Sequence, residues 1–345
     1  MTPSAVGDRD ATATAQAAPD RMRAIVQPRY GDADVLAEAE IAVPEIADDE
    51  VLVEIRAAGI DRGTWHLMTG LPYVMRLGFG LRAPKTPVPG LDLAGVVTAV
   101  GAGVTRFAPG DEVVGIGKGS LAQYAAARED KLAHKPSTLS FEQAAAVAVS
   151  GMTALQGLTE VGGLQAGQHV LITGASGGVG SYAVQIAKAL GATVTGVSST
   201  AKTGFVRELG ADHVIDYTHE DFADGRDRYD LILDVGGNAS LSRLRRALTP
   251  RGTLVITGGE DGGRWIGGTD RQLRALALSP FIGQRLTTYI AREHHAGLER
   301  LLEMIVAGQV VPAVDRVYRL DEAPEAMRHL AAGQARGKVV VTVGT

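Results

Sequence analysis

The residues best placed to do chemistry sit in two short stretches. In ITGASGGVG (172–180), Gly174, Gly177, Gly178 and Gly180 lie between an apolar run, Val170, Leu171 and Ile172, and a helical pattern, SYAVQIAKAL. A strand, a glycine turn and a helix in succession can hold a phosphate. Glycine lets the backbone approach the ligand, and the helix N-terminus offers unpaired N–H groups with partial positive charge. Read as A-x-G-x-x-G, Ala175, Gly177 and Gly180 occupy the dinucleotide fingerprint. The second stretch is GVSSTAK (196–202), where an NAD-type site carries a carboxylate for the ribose 2′-OH, about 20 residues past the glycines. Here Ser198 and Ser199 are neutral and Lys202 is cationic. Two hydroxyls and an ammonium suit a 2′-phosphate through charge-assisted hydrogen bonds, so NADPH is expected over NADH.

These residues need elements to position them. From Gln168, strand-like and helix-like stretches alternate: HVLIT and SYAVQIAKALG, TVTGVS and AKTGFVRELG, HVIDY, YDLILDVGG and LSRLRRALTPRG, then TLVITGG. Strands spaced by single helices imply a parallel sheet with right-handed crossovers. Its ligand belongs at the carboxyl ends of the strands. Those ends read TGASGG, SSTAK, DY, DVGG and TGG, all small or polar. Upstream, MRAIVQPRYG (22–31), DEVLVEIRAAGID (49–61), PGLDLAGVVTAVGAGV (89–104) and GDEVVGIG (110–117) read as short strands of a barrel or sandwich. SFEQAAAVAVSGMTALQGL (140–158) reads as a helix with a Ser140–Gln143 capping box. Segment 258–290 exceeds what a connection to a sixth strand needs; its glycines suggest a mobile flap and RQLRALALSPFI an amphipathic helix, over the substrate or at a dimer contact. The tail holds two helices and two strands and is assigned back to the first domain. The expected class is α/β: a β-rich domain over 22–149 and 291–345, and a doubly wound parallel-sheet domain over 150–290.

The 345 residues suffice for two domains. The chain has no cysteine, which excludes disulfides, a cysteine nucleophile and a thiolate-ligated metal. A net charge of −5 argues against a nucleic-acid partner. No run of about 18 apolar residues reads as a membrane helix. Residues 1–21 lack the apolar core of a secretory signal and read as a disordered tail, and the protein is expected to be cytoplasmic.

TGASGGVG also fits T-G-x-x-x-G-x-G through Gly174, Gly178 and Gly180, and so resembles the short-chain dehydrogenases locally. Their fold begins near that motif and uses a downstream Tyr-x-x-x-Lys. Here some 170 residues precede it, and none of Tyr217, Tyr229, Tyr289 or Tyr318 has a lysine four residues later. A wider resemblance fits. AAGIDRGTWHLMTG, PGLDLAGVV, GDEVVGIG, SGMTALQGL, GASGGVG, ELGADHVIDY and RGTLVITGG follow the order of the medium-chain dehydrogenase/reductase superfamily, which the chain resembles from Met22 onward. The resemblance implies a GroES-like substrate domain, a Rossmann domain that binds a nicotinamide cofactor, and an active site in the cleft between them. It places cofactor contacts on Thr153, on Gly177, Gly178 and Val179 in the turn, and on Lys202, Tyr217, Val235 and Gly258.

Zinc enzymes of this superfamily use a cysteine, a Gly-His-Glu motif and a further ligand. This chain has Gly90-Leu91-Asp92 at the second position, and His66, Asp92 and Asp61 fit a zinc site neither in type nor in spacing. No metal is expected. The zinc-free branches it resembles are quinone oxidoreductases (zeta-crystallin-like) and enone or enoyl reductases. The expected activity is therefore NADPH-dependent hydride transfer to a quinone or an α,β-unsaturated carbonyl, the developing oxyanion being held by hydrogen bonds. Alternatives are a zinc-free NADP-dependent alcohol/ketone oxidoreductase and a non-catalytic NADPH-binding structural or sensor protein. DRGTWHLMTG (61–70) lines the cleft in relatives, and His66 sits where quinone reductases often carry a tyrosine. His66 is the candidate proton donor, with Thr64 and Asp61 as polar neighbours. Trp65, Tyr73 and Phe79 either wall a planar ring or pack the core. A homodimer is expected by resemblance, with the TLVITG strand pairing across a twofold axis.

Overall fold

The computed structural model describes residues 19–259 and 263–344. The tail read over 1–21 lies outside the described residues as far as residue 18, and Arg21 already opens β1 (Arg21–Val26), which pairs antiparallel with β2 (Ala37–Ala42). Next come β3 (Glu50–Ile60), helices α1 (Arg62–Thr69) and α2 (Arg76–Phe79), and the strands β4 (Asp92–Val100), β5 (Glu112–Ile116), β6 (Tyr124–Arg128) and β7 (Leu132–His134). β3, β4 and β5 are each paired on both edges, and their Val and Ile suit such largely buried strands.

The helix read over 140–158 is broken into α3 (Phe141–Ala145) and α4 (Ala148–Gln156). Ser140 and Gln143 do form the capping box on α3. The break has a use: the Val149 amide, in the first turn of α4, donates to Asp92 Oδ1 at 2.7 Å. A carboxylate is favoured at a helix N-terminus.

The second sheet is parallel throughout. Its strands are β8 (His169–Thr173), β9 (Thr193–Ser198), β10 (His213–Asp216), β11 (Tyr229–Asp234), β12 (Leu248–Ile256) and β13 (Arg285–Thr288), in the order β10-β9-β8-β11-β12-β13. Helices α5 (Gly178–Ala189), α6 (Thr203–Glu208), α7 (Leu241–Ala247) and α8 (Thr269–Leu278) follow β8, β9, β11 and β12, and a loop joins β10 to β11. From β8 the chain runs outward to β10, then returns to β11 and runs the other way. The crevice between β8 and β11 is therefore the topological switch point, where such sheets bind ligands. Two expectations change here. LSRLRRALTPRG is helical only to Ala247; Pro250 has no N–H to continue a helix, and β12 starts at Leu248. TLVITG lies in β12, an interior strand held by β11 and β13, so it cannot pair across a twofold axis. The strand missed in this sheet was β13, four residues (RLTT) without a strong apolar pattern; β2, β6 and β7 of the first domain were also unread.

The tail holds α9 (His295–Val306), β14 (Val314–Arg319), α10 (Ala323–Ala331) and β15 (Lys338–Thr342). β15 inserts between β14 and β3, completing a seven-stranded sheet of order β14-β15-β3-β4-β5-β7, with β6 on the other end of β3. Strand alternation sends β15 to two cores: Val339 and Val341 join one cluster, and Val340 joins the core shared with α4 and α5. Lys338, the one charged residue of β15, is brought by the same insertion to the floor of the cleft.

Candidate active site

A cleft of about 770 Å³ runs along the carboxyl ends of β8, β9, β11 and β12 and is closed by the start of α1, by α4 and by the segment leading into β15. Its floor is the glycine turn. Gly174 sits at φ +65°, a conformation that favours glycine, and its carbonyl accepts the Gly177 amide at 3.0 Å. Gly177 caps α5 without a side chain, so the first-turn amides receive no hydrogen bond from the N-cap. Gly177, Gly178 and Val179 line the cleft. A Cβ on Gly178 would meet Ser150 Oγ at 3.0 Å and Lys338 Cδ at 3.3 Å. This is a cradle for a diphosphate, and the residues present fit a nicotinamide dinucleotide.

Two fingerprint residues do not face the cleft, which corrects the expectation that they contact cofactor. Ala175 is fully buried, its amide bonded to Val197 O at 3.1 Å. A Cβ on Gly180 would lie 2.1 Å from Gly174 O and 2.7 Å from Ala175 Cα. Both therefore set how closely α5 packs on β8.

Ser198, Ser199, Lys202 and Tyr217 line the far end of the cleft. Lys202 Nζ donates to Gly333 O at 2.6 Å and to Ala335 O at 2.7 Å. Burial lowers its pKa, with Arg336 and Arg62 adding to the fall and Asp315 opposing it. One N–H of three is left for a ligand phosphate. A carboxylate does stand nearby, but outside the cleft lining. Asp216, opposite Ser198 in the β10–β9 register, takes hydrogen bonds from Thr200, Thr218 and His219, Thr200 above all, which hold it well below the usual carboxylate range.

Val235 and Gly258 line the cleft at the ends of β11 and β12, and Thr153 does so from α4. A Cβ on Gly258 would lie 2.1 Å from Val235 O, so only glycine keeps these strand ends together. Beneath them lies a network absent from the sequence reading. The fully buried Asp234 pairs with Arg271 of α8 at 2.5 Å and accepts from Thr173 Oγ1 at 2.7 Å. Arg271 also donates to Ala239 O and Gly258 O at 2.8 and 2.9 Å. Segment 258–290 is thus tied to the strand ends through its helix.

On the opposite wall, Asp61 and His66 line the cleft but Thr64 does not. Asp61 is the N-cap of α1: Oδ1 accepts the Thr64 amide at 2.8 Å and its hydroxyl at 3.1 Å, and Thr64 is fully buried. Thr64 is therefore a capping residue, which corrects its candidacy for catalysis. His66 Nδ1 lies 2.8 Å from Leu71 O. A carbonyl only accepts, so Nδ1 donates in this contact. Trp65, Tyr73 and Phe79 do not line the cleft: Trp65 packs against a core cluster, Tyr73 meets Trp265 edge-on at 5.3 Å, and Phe79 is exposed.

The strongest electrostatic feature joins residues far apart in sequence. Lys338 Nζ bonds Asp92 Oδ2 at 2.7 Å and Ser150 Oγ at 3.2 Å, and Asp61 Oδ2 is 4.0 Å away. Lys338 and Asp92 are each 1% exposed. Burial pushes the Asp92 carboxyl up to about 6, against the pull of Lys338 and with a further push from Asp61. Burial acts to lower the Lys338 pKa, but the charges of Asp92 and Asp61 more than offset it and the net direction is up. Asp92 is thus engaged by an ammonium and a backbone amide. Among the described residues no three His, Asp or Glu side chains are grouped as metal ligands would be.

Residues 47–137 match the family described as the alcohol dehydrogenase GroES-like domain, and residues 209–341 the family described as zinc-binding dehydrogenase. The 2-methylene-furan-3-one reductase of Solanum lycopersicum is 34% identical over 347 residues, covering 96% of this chain and 81% of that protein. The chloroplastic NADPH-dependent alkenal/one oxidoreductase of Arabidopsis thaliana is 33% identical over 341 residues, covering 94% and 80%. The solved quinone oxidoreductase from Coxiella burnetii matches with a TM-score of 0.83 at 27% identity, covering 94% of this chain and all of that one. A GroES-like sheet joined to a parallel dinucleotide-binding sheet defines the medium-chain dehydrogenases/reductases, and the chain belongs to that superfamily. Within it, the chain falls in the quinone oxidoreductase branch.

Proposed function

We infer that the protein is an NADPH-dependent reductase of quinones or α,β-unsaturated carbonyl compounds that works without zinc. The observation that carries this reading is the cleft itself. It has a glycine cradle at the β8–α5 turn, Ser198, Ser199 and Lys202 at one end, and Asp61 and His66 at the other. When bound, NADPH supplies a hydride to the electron-poor carbon of the acceptor. The chain's own residues do the rest. The α5 amides and Gly177–Gly178 hold the diphosphate, and Ser198, Ser199 and Lys202 hold the 2′-phosphate. Thr153, Val235 and Gly258 wall the nicotinamide end. His66, its ring oriented by the 2.8 Å contact of Nδ1 with Leu71 O, is the candidate donor to the developing oxyanion. A zinc-free reaction is supported by the cysteine-free sequence and by Asp92, whose oxygens are taken by Lys338 and the Val149 amide. Conjugated acceptors suit such a site because their negative charge is delocalised and needs no Lewis acid.

Purified protein is expected to oxidise NADPH when given a panel of quinones and enones. The kcat/KM for NADPH should exceed that for NADH by at least about tenfold, the worth of one charge-assisted phosphate contact. Binding of NADPH without turnover of any acceptor, or a preference for NADH, would refute the assignment.

We further propose the domain limits 22–149 with 291–345 and 150–290, a cytoplasmic location, and a homodimer formed through β13. This edge strand is flanked by Phe281 and Ile290, which are 84% and 95% exposed. An unpaired strand edge beside exposed apolar side chains favours sheet extension by a second copy. Light scattering should give about twice the 35.9 kDa chain mass, and a monomeric mass would rule the dimer out. No helix of the described residues is long and apolar enough to cross a membrane.

A further inference from the structure

Asp61 uses only one of its carboxylate oxygens within the protein. Oδ1 caps α1, while Oδ2 is buried with no hydrogen-bond partner among the described residues. The side chain is 9% exposed and lines the cleft. A buried acceptor without a donor is costly, so such an atom takes a partner from the cleft, a water when the cleft is empty and a ligand group when it is filled. Lys338 Nζ, at 4.0 Å, is too distant to be that donor. It gives one N–H to Asp92 and one to Ser150, and an ammonium has three.

One oxygen can satisfy both groups. Placed about 2.8 Å from each, it spans the gap, accepting from Lys338 and donating to Asp61. The group must be donor and acceptor at once. A carbonyl or phosphate oxygen brings no proton, and an amide N–H₂ satisfies Asp61 alone. The position is also specific: Lys338 and Ser150 flank Gly178, beside the phosphate cradle.

We propose that Asp61 Oδ2 and Lys338 Nζ together bind one hydroxyl group of the ligand in the cleft, Asp61 accepting and Lys338 donating. This rests on the cofactor reading of the cleft. The hydroxyl comes either from a sugar of the dinucleotide or from the acceptor side, as a hydroxyl of the reduced product.

Asp61→Asn keeps the volume and the Oδ1 cap but presents an N–H₂ to the ammonium. Calorimetry of NADP⁺ binding, and of hydroquinone binding to the NADP⁺ complex, separates the sources. The affinity of the hydroxyl-bearing ligand should fall about 10- to 100-fold, the range for a hydrogen bond to a charged group. A fall in NADP⁺ affinity assigns the site to the sugar. Unchanged NADP⁺ affinity with a fall for hydroquinone assigns it to the acceptor side. Both affinities within twofold of wild type would overturn the proposal. Thr64→Ala weakens the cap but leaves Oδ2 alone, so it should lower the melting temperature and neither affinity. If Thr64→Ala reproduces the affinity loss, capping explains it and the proposal fails. Should Asp61→Asn not fold, the wild type is titrated with nicotinamide-side deoxy forms of NADP⁺ and with the hydroquinone monomethyl ether. One of them must lose the same factor; if none does, the site is refuted. A wild type that binds NADP⁺ and NADPH while the variant binds them equally, with no hydroquinone effect, sinks the hydroxyl site alone. A wild type that binds neither nucleotide sinks the cofactor reading with it.

Discussion

Lys338→Met is expected to destabilise the protein by about 3–5 kcal/mol, the cost of removing one partner from a buried ion pair. Asp92, fully enclosed, would keep the Val149 amide but lose its ammonium, and Asp61 would lose the nearest cation. The deficit should depend on pH in a definite direction. Burial already holds the Asp92 pKa up at about 6, and removing Lys338 takes away a group that pulls it down, so it rises further. A carboxyl whose folded pKa exceeds its unfolded value favours the native state when protonated. Its contribution is present below the unfolded value and is lost as pH climbs through the folded one. Urea denaturation should therefore show a smaller gap between variant and wild type at pH 5 than at pH 8. Adding Asp92→Leu should recover most of the loss, since an apolar pair can replace a buried ion pair. A gap below about 1 kcal/mol, or one that widens toward pH 5, would contradict the account of the cluster.

Gly180→Ala is expected to cost about 2–3 kcal/mol, the upper range for overpacking a tight site, and to weaken NADPH binding by at least about tenfold. Its Cβ would sit 2.1 Å from Gly174 O and 2.7 Å from Ala175 Cα, both backbone atoms that no rotamer change can move aside. α5 must then lift from β8, and the cradle amides move with it. Gly204→Ala is the matched control: nothing lies within 4 Å of its Cβ position in α6, so it should be neutral or stabilising by about 0.5–1 kcal/mol through helix propensity. Thermal melts and fluorescence titration with NADPH check both. Equal behaviour of the two variants would show that close helix–strand approach is not what Gly180 provides.

Much of the architecture was legible because its signals are local. The glycine cradle, the alternation from β8 to β12 and the small residues at the strand ends depend on neighbours a few positions apart. Propensity and turn chemistry act at that range. The same holds for the Ser140–Gln143 cap and for the run from Gly177 to Val179. β13 stayed hidden because four mixed residues carry no period.

Which side chains reach the cleft was a different matter. Ala175, Gly180 and Thr64 belong to the right motifs, yet their elements turn them into packing or capping. Asp92 and Lys338 lie 246 positions apart, Asp234 and Arg271 lie 37 apart, and Lys202 is held by carbonyls more than 130 residues away. Residue type alone says that a buried charge needs a partner. The partner is chosen by chain topology, here by β15 inserting beside β3 and by α8 folding back over β11 and β12. The chain's own pattern thus determined the two sheets and the cradle through short-range physics. Only tertiary structure decided the charge pairs on the cleft floor, because they exist solely where distant strands are brought into register.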